Sequence, residues 1–166
     1  MSSPRKLIID IETDAIDANV IWCVVCKEHN TPDAEYKVFT DKQSFKNYLL
    51  KDDILIAHNG IGFDFLVLNK LWGVEIDYTT VVDTLILSRL FNPDREGGHS
   101  LAKWGETLGY NKFEFSDFNK YSEQMLVYCK RDVDITDKLY KHLRIAGDKF
   151  SKQSIVLEHR IAHIIQ

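Results

Sequence analysis

The order of secondary-structure signals constrains the fold of this chain more than any other feature: β-rich runs come first and a long helix comes last. Lys6 to Thr13, Val20 to Cys26 and Glu35 to Thr40 read as strands separated by Asp/Asn/Pro turn clusters. A helix over Lys42 to Leu50 and a strand over Ile54 to Ala57 follow. The next segment, Asp64 to Trp72, reads as a helix that Gly73 closes. A strand near Thr80 to Asp83 leads into a helix over Leu85 to Phe91, and Ser100 caps another that runs to about Leu108, with Gly109 after it. The longest periodic segment, Ser122 to about Leu143, carries Met125, Cys129, Asp132, Thr136 and Leu139 along one face at spacings of three and four. Early strands, then alternation, then helices alone imply an α/β fold, a mixed sheet with helices packed on its faces.

Composition removes most competing classes. With 166 residues there is room for one domain and a real core. Hydrophobic residues at 45% against 28% charged exclude a disordered chain. The longest apolar run, Val20 to Cys26, is far too short to span a membrane, and Asp10 interrupts Leu7-Ile8-Ile9 too early for a signal peptide, so a cytoplasmic protein without membrane partners is expected. A net charge of −4 argues against a protein that holds nucleic acid by electrostatics alone, although not against one that meets phosphates through metal ions. Three cysteines cannot make a disulfide framework and point to a reducing compartment. Cys23 and Cys26 sit three apart on a strand, so they face opposite ways and read as small core residues rather than a redox or zinc pair.

Several acids stand where core residues are expected. Alternation along β-rich Leu7 to Thr13 puts Ile9, Ile11 and Thr13 on one face and Ile8, Asp10 and Glu12 on the other. Neighbouring carboxylates repel and are costly to bury unpaired, so the pair marks either an exposed strand end or a divalent cation. Asp132 lies on the apolar stripe of the long helix with Tyr128 one turn earlier on the same face, either a buried Asp–Tyr hydrogen bond or part of a site. Asp117, Asp134 and Asp137 read as solvated surface acids. In Ile56 to Asp64 a buried strand ends in a polar turn, where Asp64 could cap the next helix and Gly60 and Gly62 could let another chain approach closely.

Taken together, Asp10-x-Glu12, Asn59-x-x-x-Phe63-Asp64 and Tyr128-x-x-x-Asp132 resemble the three exonuclease motifs of the tyrosine-bearing branch of the DEDD superfamily. The segments Asp83-Thr84-Leu85-Ile86-Leu87-Ser88-Arg89-Leu90 and His99-Ser100-Leu101-Ala102-Lys103-Trp104-Gly105 look like proofreading domains of family A DNA polymerases from short-tailed phages. The resemblance covers about residues 6 to 145 and implies a ribonuclease H-like fold with helices on both faces of the sheet. It also implies 3′→5′ hydrolysis of DNA ends to nucleoside 5′-monophosphates. In its terms Asp10, Glu12, Asp64 and Asp132 hold two Mg²⁺ or Mn²⁺ ions, hard cations suited to all-oxygen ligands. Asp10 bridges them, Glu12 and Asp132 complete the first, and Asp64 holds the second. Two such ions offset the net charge of −4. Tyr128 orients the attacking water, since an ordinary tyrosine keeps its proton at neutral pH.

The same resemblance places Thr13, Ile16, Asn59 and Phe63 against the substrate, although packing or turn chemistry accounts for each equally well. His58, His99 and Asp83 read as structural. Lys103, Lys112, Lys130 and Arg131 read as surface charges that could meet phosphates. Expected partners are a single-stranded or frayed DNA 3′ end and a polymerase domain of the same parent chain. Residues 1–147 would form the exonuclease domain and 148–166 a helical overhang, similar to the segment that begins the polymerase domain in phage enzymes. A free-standing exonuclease acting on RNA or in DNA repair has the same catalytic residues. A catalytically inert scaffold would have lost a carboxylate, and none is lost.

Overall fold

The computed structural model describes residues 3–31, 34–147 and 150–165; Pro32 and Asp33 of the turn expected after the second strand lie outside it, as do Asp148 and Lys149 at the expected domain boundary. Five strands, β1 (Lys6–Thr13), β2 (Ile21–Glu28), β3 (Lys37–Phe39), β4 (Ile54–Ala57) and β5 (Val82–Asp83), form one sheet in the order β3-β2-β1-β4-β5. β1, β2 and β3 pair antiparallel, whereas β4 runs parallel to both β1 and β5. The register pairs Asp10 with Val25 and Glu12 with Cys23, then slips by one residue between Glu12 and Thr13. This is the mixed α/β, ribonuclease H-like architecture.

One sheet face carries Leu7, Ile9, Ile11 and Cys26, and packs against α1 (Lys42–Tyr48) and α2 (Phe65–Trp72) through Phe45, Phe65 and Leu68. The other carries Ile8, Cys23 and Val25 beneath α3 (Thr84–Phe91), α4 (Leu101–Thr107) and the 25-residue α5 (Glu123–Gly147). Cys23 and Cys26 are buried on opposite faces, as a strand period of two requires. Each large apolar side chain fully withdrawn from water contributes about 1.5–3 kcal/mol, so the two faces anchor the sheet independently. Asp83 and Ser100 cap α3 and α4 by accepting from the amides of Leu85 and Lys103. Gly73 ends α2 at φ 64°, where a side chain would be strained.

A last helix, α6 (Lys152–Ile164), contributes Ile155 to one core and Ala162 to the other. Among the described residues no helix is long and apolar enough to cross a membrane.

Candidate active site

β1 is where the antiparallel and parallel halves of the sheet meet, and the carboxylates gather at its C-terminal end, the usual position of ligands in open α/β sheets. Asp10 and Glu12 point toward α5, as alternation requires. Glu12 is 6% exposed, so the exposed-strand reading fails. From α5, Asp132 enters the same space with Tyr128 one turn before it. Asp64 arrives from a wide helical turn, Gly60–Asp64, in which the Phe65 amide bonds back to Gly60 five residues earlier.

Asp64 does not cap α2. It has helical φ and ψ, makes no side-chain capping bond, and is buried at 4% exposure. The glycines of this turn serve the chain itself, because a Cβ on Gly60 would lie 2.7–2.8 Å from the Phe65 ring and Ala57. A Cβ on Gly62 would meet the Asn59 side chain.

Together these elements line an open cleft of about 250 Å³ whose walls include Asp10, Glu12, Asn59, Phe63, Asp64, Tyr128 and Asp132. Of the expected substrate residues, Asn59 and Phe63 face it. Thr13 is buried just past the register slip and donates to the Ala15 carbonyl at 2.9 Å. Ile16 is 93% exposed, and neither it nor Thr13 lines the cleft.

The acids are frustrated. Burial is the largest influence on Asp10, Glu12 and Asp64 and raises the pKa of each well above the carboxylate range; repulsion between neighbouring acids adds to it. Asp64 Oδ2 and Asp132 Oδ1 are buried with no hydrogen-bond partner among the described residues. Buried oxygens are rarely left this way unless something else completes them. A divalent cation fits, because it supplies the missing partner and removes the repulsion at once. Single donor atoms of Asp10, Glu12 and Cys129 also lie within 4.8 Å of one another.

Two residues take parts in the cleft that the sequence reading did not give them. Lys112 donates to Tyr128 Oη at 2.7 Å and ion-pairs with Asp132 Oδ2, so it is a cleft residue rather than a solvated charge. The Asp132 carboxylate holds the Lys112 ammonium above its ordinary pKa, against the opposing effect of burial. Burial likewise raises the Tyr128 phenol, which therefore stays protonated at neutral pH. The Cys129 thiol donates to Asp10 Oδ2 at 3.3 Å. Lys112 lies in a stretch without periodicity and reads in sequence only as a surface charge that could meet phosphates, whereas Cys129 beside Tyr128 reads only as core.

The surrounding residues are mostly structural. Asp83 accepts from the amides of Asn59, Ile61 and Leu85. His99 Nδ1 bonds Ser88 at 2.6 Å. His58 Nδ1 bonds Thr84 at 2.8 Å, and burial pushes the His58 pKa down to about 4, so it is neutral in the cleft wall. Arg131 donates to the Asn111 carbonyl and stacks on Tyr110, while Lys103 pairs with Glu106 at the surface. Asp117 is exposed, as expected. Asp134 and Asp137 are not solvated: Tyr36 donates to Asp134 at 2.5 Å, and His29 meets Asp137 at the same distance.

Several solved structures share this fold. Brucella melitensis NrnC with bound Mg²⁺ superposes with a TM-score of 0.75 at 20% identity, covering 97% of this chain and 83% of that one. The catalytic core of RRP6 from Trypanosoma brucei gives 0.70 at 15% identity, covering 96% and 46%. Phi29 DNA polymerase complexed with single-stranded DNA gives 0.59 at 14% identity, covering 87% and 32%. At such identities the likeness concerns the fold. In sequence, 48 residues are 44% identical to the PolC-type DNA polymerase III of Ureaplasma parvum serovar 3, a match that spans 27% of this chain and 3% of that polymerase. No family model matches the chain.

Proposed function

We propose that this chain is a divalent-metal-dependent 3′→5′ exonuclease that removes nucleoside 5′-monophosphates from DNA 3′ ends, serving as the proofreading unit of a DNA polymerase. The observation that carries the reading is the pair of partnerless buried oxygens on Asp64 and Asp132 in a cleft shared with Asp10, Glu12 and Tyr128. Asp10, Glu12 and Asp132 would hold one Mg²⁺ or Mn²⁺, and Asp10 with Asp64 a second. Such ions, when bound, supply charge neutralisation for a phosphodiester and acidify water.

The chain's own groups do the positioning. Because Lys112 donates to Tyr128 Oη, the phenol hydrogen is free to hold a water against the phosphate. That water gives up a proton to solvent as its oxygen bonds to phosphorus and the bond to the 3′ oxygen breaks; the departing oxygen takes up a proton from solvent and leaves a 3′-hydroxyl end. Lys112 is the cation in the described cleft wall and can draw in the backbone phosphate. Asn59 and Phe63 would flank the terminal nucleotide, with Thr13 and Ile16 at its approach. A polymerase setting rests on the 48-residue match to the PolC-type polymerase and on the phage-like segments. Residues 1–147 would then be the nuclease domain, in a cytoplasmic enzyme. The extent of the match to NrnC favours a second reading, a free-standing nuclease acting on RNA or in DNA repair.

Digestion of matched 3′-labelled DNA and RNA strands tests both. Release of nucleoside 5′-monophosphates from DNA in Mg²⁺, and none in chelator, is expected. Frayed ends should be cut faster than paired ones, since leaving the duplex costs a few kcal/mol. Robust cleavage in excess chelator or 3′-phosphate products would overturn the proposal, and a preference for RNA would move it to the second reading.

A further inference from the structure

On α6 the most buried side chain is not apolar. Val156, Leu157 and Ile161 are 55%, 54% and 43% exposed, whereas His159 is 5% exposed. The imidazole Nδ1 lies 2.8 Å from the Ile155 carbonyl one turn back, which can only accept, so Nδ1 carries the hydrogen. Nε2 is therefore a bare acceptor. It receives the backbone N–H of Asp83 at 3.0 Å.

Asp83 is also the residue that fastens the turn carrying Asp64. Its Oδ1 accepts from the Asn59 amide at 2.8 Å and its Oδ2 from the Ile61 amide at 3.1 Å. Asn59 has φ 62°, a left-handed conformation that a non-glycine residue holds only when its surroundings enforce it. The chain of contacts therefore runs from α6 through Asp83 to the loop that presents Asp64, whose Oδ2 has no partner among the described residues.

We propose that His159 is a positioning residue for Asp64: by accepting the Asp83 amide it holds the Asn59–Asp64 turn in the geometry that binds a divalent cation. α6 is then a working part of the metal site and not merely an overhang. The proposal rests on the metal-dependent reading given above. Partners of metal ligands commonly change metal affinity or activity by about 10–100-fold when removed.

The test uses the full chain with His159→Gln and His159→Asn. A glutamine amide reaches about where Nε2 stands, whereas an asparagine amide reaches only the Nδ1 position. Three quantities are read: Mn²⁺ affinity by paramagnetic resonance, amide exchange of Asn59 and Ile61, and the Mg²⁺ concentration for half-maximal cleavage. His159→Asn should weaken Mn²⁺ binding at least about tenfold, raise the Mg²⁺ requirement in parallel, and speed exchange at both amides. His159→Gln should stay near the unaltered chain.

Loss of affinity in a folded glutamine chain would overturn the proposal, even if the asparagine chain does not fold. So would an asparagine chain that keeps its affinity and exchange. An unaltered chain that neither binds Mn²⁺ nor cuts DNA would instead sink the exonuclease reading, and this proposal with it.

Discussion

Asp132 and Asp134 stand two residues apart on α5 and live in opposite surroundings. Asp134 accepts from Tyr36 at 2.5 Å, with Lys27 and Tyr110 each 3.4 Å away. Asp137, one turn on, is matched in the same manner by His29 and Lys27. These acids are half-buried and every oxygen is answered, so the network can do no more than tie α5 to β2 and the segment before β3. Asp132 has Lys112 on one oxygen and nothing on the other, and it shares its space with three more acids. Paired acids hold a fold together, whereas acids left short of partners cost stability and remain only where something outside the chain completes them.

The contrast can be broken first at Asp10. Asp10→Ala removes the carboxylate that would bridge two ions, and several kcal/mol of transition-state stabilisation corresponds to a fall of about 10⁴-fold in single-turnover cleavage. The variant should remain folded, because it relieves repulsion among buried acids. Tyr128→Phe keeps the ring and deletes only the hydroxyl, so a loss of about 10²–10⁴-fold is expected, with residual activity above that of Asp10→Ala. A phenylalanine chain as inactive as Asp10→Ala would give the hydroxyl more than a positioning role.

Tyr36→Phe, on the paired side, should leave cleavage unchanged and cost about 1–3 kcal/mol, read as a melting temperature several degrees lower. A drop in cleavage there would erase the distinction between the two regions.

The smallest effect is on pH dependence in chelator. Asp10, Glu12 and Asp64 have folded pKa values above those of the unfolded chain, so the folded state holds more protons. Stability is therefore fullest below about pH 4 as far as these groups are concerned, and drains away as pH rises through their raised values. The chelated protein should melt a few degrees lower at about pH 9 than at about pH 6, and Mg²⁺ should flatten that slope.

Much of this was legible in sequence, for local reasons. The period of two placed Asp10 and Glu12 on one face of β1, and the helical period placed Tyr128 and Asp132 together, since both patterns are set by backbone geometry alone. Asp134 and Asp137 were misread because their partners Tyr36 and His29 are 98 and 108 residues away in the chain. Lys112 is brought to Asp132 only by the path of an irregular loop, and His159 meets Asp83 across 76 residues, so neither contact leaves a periodic trace. The strand expected over Thr80 to Asp83 shortens to two residues because it pairs only with Ile56 and Ala57 at the sheet edge.

Mn²⁺ titration followed by paramagnetic resonance tests the central claim most directly. The unaltered chain and Tyr36→Phe should both show saturable binding that Mg²⁺ competes away, and Asp10→Ala should lose it. Absence of saturable binding, or binding that survives Asp10→Ala undiminished, would contradict the assignment of these acids to a metal site.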